Sequence, residues 1–81
     1  MSMSMNQEFS TYDLGCSAAL ICAGFELVYM DKTNPRKVRF LFCQKDGIEE
    51  TVNDYFLGKL EVKARLMFDN LKNLKNMILS Q

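Results

Sequence analysis

Two segments of the chain alternate between apolar and other residues: 25–30 (FELVYM) and 37–43 (KVRFLFC). Alternation with a period of two, in residues that favour β-structure, predicts strands. The segment between them, DKTNPR, has the Asp, Asn and Pro that are typical of turns. We therefore predict an antiparallel β-hairpin. One face of this hairpin carries Phe25, Leu27, Tyr29, Val38, Phe40 and Phe42.

The second face of the predicted hairpin is not cleanly polar. A sheet face that meets water normally carries polar residues, but this one carries Val28, Met30, Leu41 and Cys43. These four residues are therefore predicted to lie under a cover. The cover is either internal, from the N-terminal tail or a third strand, or it is another protein.

A helix is predicted before the hairpin. Ser10 is its expected N-cap, with Asp13 as the acidic partner in a capping box, and Gly24 ends it in the left-handed conformation. The residues between them are mostly small. The helix is therefore predicted either to pack tightly in the core or to form a seam between two copies of the chain.

Two more helices are predicted after the hairpin. Asp46 and Glu49 form the expected capping box of the first, which Gly58 ends, and residues 64–80 form the second. The segment 59–63 (KLEVK) between them alternates briefly and predicts a short third strand. The apolar stripes of the two helices comprise Ile48, Val52, Tyr55 and Phe56, and Ala64, Met67, Phe68, Leu71, Leu74 and Ile78.

Together these elements predict an α+β fold. We expect a single small domain at residues 10–81, with the order α-β-β-α-(β)-α and the antiparallel β-hairpin packed against the helices. Residues 1–9 (MSMSMNQEF) have neither the basic start nor the apolar stretch of a signal peptide, and they are predicted to be a flexible tail. No apolar run approaches the ~18 residues of a membrane span, so no membrane partner is expected.

Charge is balanced in total but uneven along the chain. Ten Lys and Arg face ten Asp and Glu, yet residues 32–45 hold five bases and no acid. Basic clusters neutralise nucleic-acid phosphates, and hairpins enter nucleic-acid grooves. The alternative is a solvated turn whose charges block edge-to-edge aggregation. The candidate nucleic-acid contacts are Lys32, Arg36, Lys37 and Arg39, extended by Lys72 and Lys75 on the last helix.

The sequence offers no catalytic constellation. It contains no histidine, which is the usual general base near neutral pH, and no glycine-rich phosphate loop. Cys16, Cys22 and Cys43 are odd in number and lack CxxC spacing, which argues against a disulfide framework and a zinc site. We therefore expect buried or half-buried thiols in a reducing cytoplasm, and we predict no enzyme, no cofactor and no metal.

A family resemblance extends over nearly the whole chain. It is carried by TYDL (11–14), AALICAGFEL (18–27), NPRKVRFLF (34–42), YFLGKLEVKAR (55–65) and FDNLKNLK (68–75). On these segments the chain resembles a family of short bacterial, archaeal and phage-borne domains of unknown function. Lys63 departs from the family pattern, in which an acid often precedes the final helix. The resemblance implies a small stand-alone protein of a microbe or mobile element, with the order α-β-β-α-α, and it brings no activity and no catalytic residue.

The functional prediction is a non-enzymatic interaction module. We expect it to act as a homo-oligomer or as an accessory subunit on a larger protein, with Val28, Met30 and Leu41 at the interface, because association commonly completes the core of so small a domain. The alternative is a nucleic-acid-binding accessory protein that uses the basic hairpin at residues 32–39.

Overall fold

The structure, a computed structural model, describes residues 8–80, which contain three strands and three helices. Their bounds are β1 Glu8–Thr11, α1 Leu14–Cys22, β2 Leu27–Asp31, β3 Arg39–Cys43, α2 Ile48–Phe56 and α3 Ala64–Leu79. The predicted α+β class is confirmed, and so is the predicted succession of helix, hairpin and two helices. The strand β1 precedes this succession and was not predicted.

The three strands form one antiparallel sheet in the order β1-β3-β2, with β3 at the centre. Successive side chains of a strand point to opposite faces. Phe40 and Phe42 of β3 are fully buried on one side, and Arg39, Leu41 and Cys43 lie on the other. We call the side of Phe40 the inner face of the sheet and the side of Leu41 the outer face.

All three helices pack on the inner face. The buried core consists of Cys16, Ala18, Leu20, Phe40, Phe42, Ile48 and Leu74. Both α2 and α3 contact α1, whose segment 16–20 is completely buried. The prediction that the first helix packs in the core is therefore confirmed. Its buried small residues do not form a seam between two copies of the chain. The molecule is a slab that measures 18 Å across its narrowest dimension.

The start of α1 differs from the prediction, because the residues before it form β1. Ser10 pairs with Leu41 in the sheet. The N-cap is Asp13, whose side-chain oxygen accepts a hydrogen bond of 2.7 Å from the backbone N–H of Cys16. The predicted cap at Ser10 is therefore wrong. The predicted end is confirmed, since Gly24 has a φ of 98°, in the left-handed region that glycine adopts without strain.

The start of α2 differs as well. Its N-cap is Gly47, which has a φ of 92° and no side-chain capping bond, so the capping box predicted from Asp46 and Glu49 is wrong. Most of the two predicted apolar stripes pack on the core. Three residues at the margins of these stripes are exposed instead: Phe56, Ala64 and Phe68. Within residues 8–80, no helix is long and apolar enough to span a membrane.

A bulge in β2 exchanges the faces predicted for its last residues. The register shifts at Val28, after which Tyr29 pairs with Leu41 and Met30 pairs with Phe40. Paired residues lie on the same face of a sheet. Met30 therefore packs against the core, and Tyr29 points outward with 62% of its surface exposed. The placement of Met30 on the second face was wrong, because one extra residue in a strand reverses the alternation.

The third strand of the sheet comes from the N-terminal side. The segment 59–63, predicted to form a short strand, forms none and connects α2 to α3. Glu8 and Phe9 were predicted to belong to the flexible tail, but they pair with Cys43 and Phe42 as the first half of β1. The rest of the predicted tail, residues 1–7, lies outside the described residues.

Candidate functional site

The outer face of the sheet is left open by the three helices, which pack on the inner face. Three rows of side chains cross this face, one row for each outward residue of β3. The strands contribute Glu8, Ser10, Val28, Tyr29, Asp31, Arg39, Leu41 and Cys43 to this face, and three residues just outside the strands complete the rows: Tyr12, Glu26 and Lys37.

Leu41 occupies the centre of the outer face. It is half-buried between Ser10 of β1 and Tyr29 of β2. Val28 lies at the bulge next to Tyr29 and is 44% exposed. A partner that removed these side chains from water would gain roughly 25 cal/mol for each Å² of apolar surface. We call Leu41, Tyr29, Val28 and Ser10 the apolar row.

Cations gather at the end of the face that is nearest the hairpin turn. Arg39 forms an ion pair with Asp31, with 3.5 Å between Nη2 and Oδ2. The ammonium of Lys37 lies 4.7 Å from the centre of the Tyr12 ring, which is a cation–π distance. We call these four residues the basic row. Together with Thr33 and Asn34 they line a cleft of about 280 Å³.

Asp31 remains ionised in this cleft. Its carboxylate accepts a hydrogen bond of 3.0 Å from the backbone N–H of Thr33. The hydrogen bonds from Thr33, and after them the charge of Arg39, lower the pKa of Asp31 below its ordinary value. A carboxylate with a lowered pKa is a poor proton donor near neutral pH. The cleft is therefore lined by one ionised carboxylate, two cations and an aromatic ring.

The opposite end of the outer face is acidic. Glu8 pairs with Cys43 on one side, and on the other side the carbonyl of Glu26 accepts a hydrogen bond of 3.0 Å from the backbone N–H of Cys43. Phe25 and Leu27 both pack on the core, so the side chain of Glu26 between them projects outward. We call Glu8, Cys43 and Glu26 the acidic row.

Lys32, the first of the predicted nucleic-acid contacts, is used inside the molecule. Its ammonium donates hydrogen bonds to the carbonyl of Met77 at 2.8 Å and to the carbonyl of Ser80 at 2.9 Å. Both carbonyls lie at the C-terminal end of α3, where the helix leaves carbonyls without partners and its dipole favours a cation. Lys32 thus caps a helix.

The other predicted nucleic-acid contacts do not form a single patch. Lys37 and Arg39 lie in the basic row and already have partners there. The side chain of Arg36 forms no hydrogen bond and no ion pair within residues 8–80. Lys72 and Lys75 line a different cleft, with Phe68 and Leu71 on α3. The structure therefore divides the six cations among four places: the end of α3, the hairpin turn, the basic row and the second cleft.

The three thiols do not form a site. Burial, and next the charge of Asp13, raise the pKa of the Cys16 thiol to about 11, so it is not a nucleophile at neutral pH. Cys22 is half-buried and accepts a hydrogen bond of 3.2 Å from the amide of Asn70. Cys43 is exposed, contrary to the prediction, because it ends β3 on the outer face. Among residues 8–80, no group of three or more His, Cys, Asp or Glu is placed to hold a metal ion.

Two tyrosines of this surface were missed by the sequence analysis. Tyr12 falls inside the predicted first helix and Tyr29 on the predicted core face of the hairpin, yet both are more than half exposed. A tyrosine suits either environment, because its ring is apolar and its hydroxyl is polar. Asp31 could have indicated the bulge from the sequence alone. Unbroken alternation from Leu27 would place its carboxylate in the core, which is unfavourable.

Comparison with known proteins identifies a family and nothing narrower. No curated protein and no solved structure is significantly similar to the chain. The sequence of residues 6–80 matches a family described as a domain of unknown function, DUF5659. The match confirms the family resemblance over nearly the whole length. The chain therefore belongs to the DUF5659 family.

Proposed function

We propose that the protein is a non-enzymatic interaction module that binds a protein partner through the outer face of its sheet. The observation that carries this proposal is the open apolar row, in which Val28 and Tyr29 are exposed beside Leu41 on the side without helices. Sheets commonly bury an apolar face against a second layer. In this proposal, the partner supplies that layer.

The module acts either as a homo-oligomer or as an accessory subunit on a larger protein. We place it in the reducing cytoplasm of a microbe or of a cell that carries a mobile element. Three free cysteines support a reducing compartment, because secreted domains of this size usually pair their cysteines. The resemblance to bacterial, archaeal and phage-borne domains supports the origin.

A pull-down with a matched pair of variants tests the proposal. Val28→Glu adds a charge to the apolar row, and Leu66→Glu adds the same charge to α3 at a residue of almost equal exposure, 46% against 44%. Tagged wild-type protein and both variants are incubated with native lysate. We expect the partner to be lost with Val28→Glu and retained with Leu66→Glu. Equal retention by both variants would show that the outer face does not bind it.

Nucleic-acid binding is the second candidate function. It is favoured by one observation: Tyr12 and Tyr29 are exposed next to Lys37 and Arg39, and single-stranded nucleic acids stack their bases on aromatic residues that have cations nearby. It ranks second because Lys32, Lys37 and Arg39 already have partners within the molecule.

An oligonucleotide titration tests this second candidate. Labelled single- and double-stranded oligonucleotides are titrated at about 50 mM salt, where phosphate contacts are strongest. The double variant Arg36→Ala/Arg39→Ala is expected to weaken binding, and Tyr29→Ala is expected to weaken binding to single strands only. Absence of binding by the wild type, or binding that the double variant leaves unchanged, would remove this candidate.

A further inference from the structure

The three rows of the outer face form an ordered pattern of charge along the strands. The acidic row lies at one end with Glu8 and Glu26, and the apolar row lies in the middle. In the basic row Asp31 is paired with Arg39, so the surplus positive charge is carried by Lys37. The face is therefore negative at one end, neutral in the middle and positive at the other end.

A face with this pattern is complementary to itself when it is turned end for end. A two-fold axis along the apolar row, perpendicular to the strands and midway between two facing sheets, places the acidic row of one copy over the basic row of the other. An axis parallel to the strands would place rows of like charge together, which is unfavourable. The charge pattern therefore favours the first arrangement.

We propose that the partner on the outer face is a second copy of this chain, bound face to face about the axis along the apolar row. This inference rests on the function proposed above and names its partner. Leu41 of each copy lies at the axis against Leu41 of the other. Glu8 and Tyr12 lie two residues on either side of Ser10, and Lys37 lies over Tyr12. Each Glu8 therefore faces Lys37 of the second copy. On the β2 side, Glu26 faces Asp31 of the second copy, whose charge is balanced by its ion pair with Arg39.

The size of the face predicts a weak dimer. Three strands about 4.8 Å apart, with about five residues each at roughly 3.4 Å per residue, cover roughly 240 Å². A standard stable interface buries about 800 Å² on each partner. The dimer is therefore populated at high protein concentration and favoured by low salt, because its charged rows are exposed at the rim.

Sedimentation equilibrium of the purified protein, from about 10 μM to about 1 mM, is the first test. We expect the average mass to rise towards that of a dimer for the wild type. Val28→Glu is expected to remain a monomer, and Leu66→Glu is expected to behave as the wild type. Circular dichroism verifies that each variant is folded.

A charge exchange between Glu8 and Lys37 tests the orientation of the two copies. Glu8→Lys alone and Lys37→Glu alone each create two repulsive contacts in the dimer, and we expect each to weaken association about tenfold. An equimolar mixture of the two variants restores both attractive contacts and is expected to associate as the wild type does. The exposed pair Lys59→Glu and Glu61→Lys, in the connection between α2 and α3, is the control and is expected to change nothing.

Each outcome decides the proposal. A wild-type monomer at about 1 mM overturns it, as does a dimer that Val28→Glu leaves intact or a mixture that fails to recover. A monomer whose pull-down partner is still released by Val28→Glu overturns this inference and leaves the proposed function in place. A wild-type monomer whose captured partner Val28→Glu does not release overturns the proposed function itself.

Discussion

Lys32 joins the turn of the hairpin to the last turn of α3. It was predicted to contact nucleic acid, but in the structure it caps the helix. Because its ammonium bonds Met77 and Ser80, Lys32→Ala is expected to lower the free energy of unfolding by about 0.5–1 kcal/mol. Arg36→Ala, in the same turn, is the control and is expected to change it little. Urea unfolding measures both, and equal losses would contradict the capping role.

Cys16 makes stability sensitive to alkaline pH. Burial raises the pKa of its thiol from 9.0 to about 11, so in this interval the unfolded chain has lost the proton while the folded chain keeps it. Below pH 9 the protonated thiol makes its full contribution to the stability of the folded protein. As the pH rises to 11 this contribution is lost, and the free energy of unfolding falls by roughly 2 kcal/mol. Urea unfolding across this interval is expected to show a smaller fall for Cys16→Ala. Parallel curves for the two proteins would contradict the assignment.

Among the elements, α1 allows a direct choice between two caps. Asp13→Ala removes the hydrogen bond to Cys16 and is expected to cost about 1 kcal/mol of stability. Ser10→Ala removes an exposed hydroxyl from β1 and is expected to cost less than about 0.5 kcal/mol. Guanidinium unfolding followed by circular dichroism measures the difference. A larger loss for Ser10→Ala would restore the cap predicted from sequence.

The bulge of β2 is tested by the two residues whose faces it exchanges. Met30→Ala is expected to lower the free energy of unfolding by about 1–2 kcal/mol. This is less than the loss of about 2–5 kcal/mol for a fully buried methionine, because Met30 is only half-buried against the core. Tyr29→Ala is expected to cost less than about 1 kcal/mol, since it loses mainly its cross-strand contact with Leu41. Thermal unfolding of both variants measures this order, and the reverse order would favour a strand without a bulge.

At the scale of the whole molecule, local patterns predicted most of the fold. The hairpin was predictable because its turn and its alternation lie within one short segment, 25–43. The last two helices were predictable from their apolar stripes, and the first was predictable from its small residues and from Gly24 at its end. The strand β1 was not, because Ser10 and Asp13 match a capping box equally well, and the strand depends on pairing with β3, which is distant in sequence.

The candidate site was predictable only in part. Val28 and Leu41 lie on the outer face as predicted, because an apolar second face is visible in the sequence. Met30 and Tyr29 were exchanged, since a bulge leaves the composition of a strand unchanged. The role of Lys32 depends on the place where α3 ends, which no local pattern specifies.

The sheet also has a weak point, because its central strand β3 is the last of the three in the sequence. A short turn links β2 to β3, whereas β1 reaches β3 only across α1 and the hairpin, and a longer loop costs more entropy to close. The strand β1 is therefore expected to open and close locally, like a latch, while the rest of the sheet stays paired. When it detaches, the backbone amides of β3 on that side lose their partners and exchange with solvent, and another extended chain is able to pair there.

Native-state hydrogen exchange measures how firmly this latch holds. We expect the amides of β3 that bond β1 to exchange faster than those that bond β2. Phe9→Ala, which removes a side chain that β1 packs against the core, is expected to accelerate the first group selectively, whereas Ser10→Ala on the outer face is not. The order of synthesis in the cell also leaves this edge open for a time. Until residue 43 has been made, β1 has no complete partner strand. Until β1 then pairs with β3, the edge of β3 remains open to strand exchange between molecules.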